Sequence, residues 1–98
     1  MQFRIIKSYR DVIAICDSHL IGKRFEEGKF QLDIKENFYS GQELSEEKVA
    51  VMINQMARED ATFNIVGERA VEIAIREGLV LRESVKTIQG IPFAMVLA

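Results

Sequence analysis

The sequence predicts an α+β fold: a small, mostly antiparallel sheet of hairpins with two main helices packed on it. Three observations predict it. Short runs of alternating apolar and polar residues, separated by turn residues, fill the N-terminal third. Val49, Met52, Ile53 and Met56 recur at helical spacing behind a serine. A second helical stretch ends at Gly78, and strand-like residues follow it to the C-terminus. With 98 residues, 48% of them hydrophobic, the chain has enough apolar material for one core, and a single domain over 1–98 is expected.

The elements are justified in order. Phe3 to Lys7 and Asp11 to Cys16 read as two strands joined around Ser8-Tyr9-Arg10. Val12 to Cys16 is apolar on both faces, which places that strand inside a sheet. Lys23 to Glu26 and Lys29 to Ile34 read as a second hairpin turned by Glu27-Gly28, with Phe30, Leu32 and Ile34 on one face and the other face wet. Glu36 to Glu43 is expected to be a loop docked by Phe38 and Tyr39.

A helix begins after Ser45, whose hydroxyl caps the first turn while Glu46 and Glu47 meet the positive end of the dipole. Thr62 to Val66 could be a strand, since Thr, Phe, Ile and Val favour one, but Asn64 argues against it, and the preferred reading is a short extended Ala61-Thr62-Phe63. Asn64 then caps a helix from Ile65 to about Glu77, because Asn is a leading N-cap and is depleted in strands. Glu72 and Arg76 make an i,i+4 pair on it, and Gly78 takes the left-handed exit position. Val85 to Ile88 and Phe93 to Leu97 are the last strands, with Gln89-Gly90 as their turn. The final strand is apolar on both faces, so it is interior to the sheet or buried against another copy.

Composition narrows the function classes. The formal net charge is −2, which argues against a surface that grips nucleic acid all round. The distribution is uneven: residues 1–35 carry seven Lys/Arg against five Asp/Glu, and residues 36–98 carry six against ten. Cys16 is the only cysteine, so no internal disulfide and no cysteine-rich metal site is expected, in keeping with a reducing, cytoplasmic location. The apolar run from Ile91 to Ala98 is too short to cross a bilayer, and no membrane association is expected.

A set of motifs, in order, resembles an archaeal family known as domain of unknown function 424. They are Cys16-Asp17, Leu20-Ile21-Gly22-Lys23, Phe25-Glu26-Glu27-Gly28, Phe38-Tyr39-Ser40-Gly41, Asn64-Ile65-Val66-Gly67-Glu68-Arg69-Ala70-Val71, Glu77-Gly78-Leu79-Val80 and Ile88-Gln89-Gly90-Ile91-Pro92. The Asn-x-Val-Gly-Glu-Arg-Ala run is the most specific of these. The resemblance implies a small, single-domain archaeal cytosolic protein and supplies no activity.

Two places are candidate binding sites. At Asn64, Gly67 and Arg69, a helix start beside a glycine and an arginine can receive a phosphate or carboxylate, although Glu68 puts a negative charge at the same end. The alternative there is structural: Asn64 caps, Gly67 permits close packing, and Glu68 and Arg69 pair with neighbours. Lys23, Arg24 and Lys29, with Lys7 and Arg10, form the best basic patch, and Tyr9, Phe25 or Tyr39 could stack on bases beside it. Its alternative is a charged strand edge that discourages aggregation.

Cys16, Asp17 and His19 lie close in sequence, but one Cys and one His do not make a structural zinc site, so no metal and no cofactor is expected. Cys16 reads as a buried apolar residue and His19 as a turn residue. No nucleophile motif accompanies the single His, and no catalytic residue is assigned. The leading expectation is therefore a non-catalytic module that binds RNA or a ribonucleoprotein partner. The alternatives are a protein-interaction or homo-oligomeric module using the C-terminal strand, with Met52 and Met56 as adaptable contacts, and a small enzyme with a pocket around Arg69 and Glu68.

Overall fold

The structure is a computed structural model describing residues 1–98. The strands are β1 (Gln2–Ile6), β2 (Val12–Cys16), β3 (Arg24–Glu27), β4 (Phe30–Asp33), β5 (Gln42–Glu43), β6 (Thr62–Val66), β7 (Lys86–Ile88) and β8 (Ile91–Leu97). The helices are α1 (Glu36–Tyr39), α2 (Glu46–Ala57) and α3 (Glu68–Arg76). Six strands form one sheet in the order β5-β1-β2-β6-β8-β7, while β3 and β4 pair as a separate hairpin. This is the expected α+β arrangement. Every neighbouring pair is antiparallel except the central one, β2 and β6, which run parallel with Val12 opposite Thr62 and Cys16 opposite Val66. A parallel pair needs a long crossover. Here it contains β3, β4, α1, β5 and α2.

The crossover covers both faces of the sheet. On one face, α2 and α3 pack on Phe3, Ile13, Ile15, Phe63 and Ile65, joined by Val49, Ile53, Met56, Val71 and Ile73 from the helices. On the other, the β3–β4 hairpin and α1 close a smaller cluster of Ala14, Cys16, Leu20, Ile34, Tyr39 and Val66. β2 thus contributes to both clusters, the reason its sequence is apolar at every position. Ser45 caps α2 as expected, its Oγ accepting from Lys48 N at 3.2 Å. The buried side chains of Val49, Ile53 and Met56 contribute about 1.5–3 kcal/mol each to holding α2 down.

Several local expectations are corrected. Residues 36–43 are not a plain loop but contain α1 and the two-residue edge strand β5, which pairs with Gln2 and Phe3. The second hairpin turns through Gly28 and Lys29, with Glu27 opposite Phe30; Gly28 comes first in the turn and supplies the positive φ of 61°. Phe30 is largely exposed rather than on a covered face.

The largest difference falls at residues 62–66, a full strand rather than a short extended piece and a cap. Phe63 and Ile65 fill the helix-side core, and β2 and β8 supply backbone partners on both edges. Those pairings outweigh the poor strand propensity of Asn64. α3 consequently starts three residues later than expected. Glu72 pairs with Arg82, not with Arg76, which lies against Glu77. Gly78 follows α3 in the left-handed region at φ 79°, as anticipated. β8 lies between β6 and β7 only over Ile91–Phe93; from Ala94 to Leu97 it is paired with β6 alone, so the last strand is interior in part.

Candidate functional site

The parallel strands β2 and β6 end at the same level, and each is followed by a residue of the candidate corner: Asp17 after β2, Gly67 after β6. Asp17 N donates to Val66 O at 3.1 Å and Gly67 N donates to Pro92 O at 2.9 Å, so both residues extend the ladder by one step. Asp17 is the only buried polar or charged residue of the chain. Its Oδ2 accepts from Arg69 N at 3.0 Å and its Oδ1 accepts from Ala70 N at 2.9 Å. A carboxylate is thus already seated on the positive end of α3, contributed from 52 positions upstream of Arg69. The N-cap residue is Gly67, not Asn64, and the capping side chain is Asp17.

The candidate corner therefore divides. Gly67 and Arg69 sit at the helix start, but Asn64 lies within β6. The alternation of β6 puts Asn64 on the hairpin-side face with Val66, away from α3. The Arg69 guanidinium is ion-paired with Glu46 at the start of α2. Around it lies an open cleft of about 380 Å³ between Ser18, His19, Glu43, Glu46 and Arg69. Its charges are mutually engaged: Glu43 takes the Met1 amino group, Gln2 Nε2 and, at 2.6 Å, the hydroxyl of Ser18. An anion entering here would have to displace a carboxylate from either Arg69 or the helix start.

Asp17, weighed in the sequence only beside Cys16 and His19 as a metal ligand, is the residue whose capping role sequence reasoning missed. Its neighbour Cys16 is fully buried, and its thiol is pushed up to about 12, first by desolvation and then by the Asp17 charge. His19 lies exposed in a single 3-10 turn, Ser18–Leu20. The only sequence signal for Asp17 is an acidic residue directly after a strand apolar on both faces, a placement that is costly unless the carboxylate has donors waiting.

The basic patch lies on the opposite side of the sheet. Lys23 leads into β3, Arg24 is on β3, and Lys29 is in the turn between β3 and β4. Arg24 is tied to Glu26 at 2.8 Å and to Gln31. Lys23 and Lys29, with Lys35 and Lys86, are exposed and enter no ion pair. The contrast with the helix layer is clear. Residues 44–85 hold five Lys/Arg against eight Asp/Glu, and the rest of the chain holds eight against seven. Of the five, Arg69, Arg76 and Arg82 are paired with Glu46, Glu77 and Glu72.

Beside the hairpin, the same sheet face is open toward the C-terminal half of β8, while α1 closes on Arg4 and Ala14. The strand registers align Arg4, Ala14, Asn64 and Met95 in one row and Ile6, Val12, Thr62 and Leu97 in the next. Met95 and Leu97 are each 72% exposed, and Asn64 and Thr62 are half-buried. The arrangement offers amide and hydroxyl groups among apolar side chains, next to a layer of unpaired lysines.

The chain matches, over residues 6–98, the family described as "Protein of unknown function (DUF424)". It is also similar to a solved structure, described as "Crystal structure of an uncharacterized conserved protein from Methanopyrus kandleri". The two are 25% identical, the match covers 98% of this chain and 90% of that one, and the TM-score is 0.86. No curated protein matches the chain. No helix is long and apolar enough to cross a membrane.

Proposed function

The chain belongs to the DUF424 family. We propose that it is a binding module for single-stranded RNA, engaged by the β3–β4 hairpin and the open part of the sheet face beside it. The observation that carries this reading is the segregation of free cations: Lys23, Lys29, Lys35 and Lys86 are unpaired on the hairpin side, while most cations of the helix layer are neutralised. Phosphates would meet the lysines. Asn64 and Thr62 would offer hydrogen bonds to base edges, and Met95, Leu97 and Val12 would give apolar contact to base faces. The helix start of α3, occupied by Asp17, takes no part. A reducing, intracellular setting goes with this reading, supported by the single, buried thiol of Cys16.

The test is fluorescence anisotropy with a labelled single-stranded RNA of mixed sequence. Three to four neutralised phosphates would weaken binding roughly 20- to 50-fold between about 50 and 200 mM salt. Absence of binding at the lower salt would remove the proposal.

A further inference from the structure

β8 has two edges, and only one is fully used. Residues alternate along an antiparallel strand in the side to which both N–H and C=O point. Pro92 O accepts from Gly67 N and Ala98 N donates to Ala61 O, so the even-numbered residues of β8 face β6. The odd-numbered ones face the other way. Of these, Ile91 and Phe93 are paired by β7, through Ile88 and Lys86. β7 stops there. Beyond it, Met95 and Leu97 present two N–H and two C=O groups that no strand, loop or side chain reaches.

This open edge lacks the usual protections. The segment Ala94-Met95-Val96-Leu97 has no charge, no proline and no positive-φ residue, and its two outward-facing residues also carry exposed apolar side chains. The opposite edge of the sheet is different. There β1 is flanked by β5, Arg4 is hydrogen-bonded to Asn37 O, and Lys7 pairs with Asp11.

We propose that two copies of this chain pair antiparallel along this edge, about a two-fold axis at Val96, with Met95 of one copy opposite Leu97 of the other. The register is self-complementary. Two residues that face one another in a hydrogen-bonded antiparallel pair exchange both N–H···O bonds. Met95 with the second copy's Leu97, and Leu97 with its Met95, therefore make four bonds and satisfy every open group on both edges. The same operation sets each exposed Met95 beside a Leu97 on one face, an apolar cross-strand pair at each of the two positions. The six-stranded sheets then join into one. This inference does not depend on the RNA reading.

Sedimentation velocity over a wide concentration range tests it, together with amide exchange of the intact chain. Met95→Pro removes an N–H that faces away from β6, so it leaves that ladder intact; Leu97→Lys puts a charge at the edge. The expected result is a species of twice 11.2 kDa at high concentration. Met95→Pro deletes two of the four bonds, so its self-association should weaken roughly 10- to 100-fold. Leu97→Lys should weaken it as well, and it carries the readout alone if the proline variant does not fold. The Met95 and Leu97 amides should gain protection on dimerisation, while Ala94 and Val96 are protected in monomer and dimer alike. A mass of 11.2 kDa at every concentration overturns the proposal. So does a dimer indifferent to both substitutions, or one in which the Met95 and Leu97 amides stay unprotected.

Discussion

Gly67 is bare because Asp17 occupies the place where its side chain would go: a Cβ at position 67 would lie 2.4 Å from Asp17 Cγ and 2.5 Å from Oδ2. Its φ of 111° is also outside the range that side chains tolerate. The glycine therefore serves close approach by the protein's own carboxylate rather than by a ligand. That approach exists because β2 and β6 are parallel neighbours ending at one level, which brings the residue after the first strand to the helix after the second.

Asp17→Ala should lower unfolding free energy by about 2–3 kcal/mol, since it strips two charge-assisted hydrogen bonds from a buried helix start. Asp17→Asn should cost roughly half as much, because an amide keeps one acceptor and turns a donor toward the second N–H. Urea unfolding followed by circular dichroism measures both. Equal stability of all three proteins would contradict the cap.

Gly67→Ala should destabilise by at least about 2 kcal/mol through overlap with Asp17 and positive-φ strain. In the double variant with Asp17→Gly, the overlap disappears and only the strain remains. The two losses should then be less than additive, with a coupling on the order of 1 kcal/mol or more in a double-mutant cycle.

Stability should fall in alkali. Burial raises Cys16 from 9.0 and Tyr39 from 10.0, each to about 12. The folded state therefore holds protons that the unfolded chain releases, so the contribution of these groups is complete below pH 9.0 and is lost as pH climbs toward 12. Denaturation midpoints between pH 8 and 11 should decline, and Cys16→Ala should shallow the decline. The same burial predicts slow reaction of the native thiol with alkylating reagents at neutral pH.

Charge reversal at Lys23 and Lys29 should reduce RNA affinity about tenfold and flatten the salt dependence by about 0.7 in log–log slope for each phosphate contact removed. Reversal at Arg82, in the helix layer and paired with Glu72, should leave both unchanged. Arg24→Glu should act less than Lys23→Glu, because Arg24 is already held by Glu26 and Gln31. Parallel anisotropy titrations of the four variants check the ordering.

Local pattern by itself determined the class of fold, the both-face burial of Val12–Cys16, the Ser45 cap with its stripe of Val49, Met52, Ile53 and Met56, and the exit at Gly78. Each depends on residues within a few positions of one another, so alternation, helical spacing and capping chemistry suffice to show it. Only the tertiary structure decided that Asn64 lies in a strand, that Glu72 meets Arg82 rather than Arg76, and that the positive end of α3 is closed by Asp17. Strand order sets the first and the last; the second follows from the 3-10 turn Arg82–Ser84, which returns the chain beside α3. Which backbones flank residues 62–66, and which carboxylate ends a neighbouring strand, are facts of pairing across 50 residues of sequence or more. Local propensity has no access to such pairings, and about 1 kcal/mol of strand or cap preference yields to them.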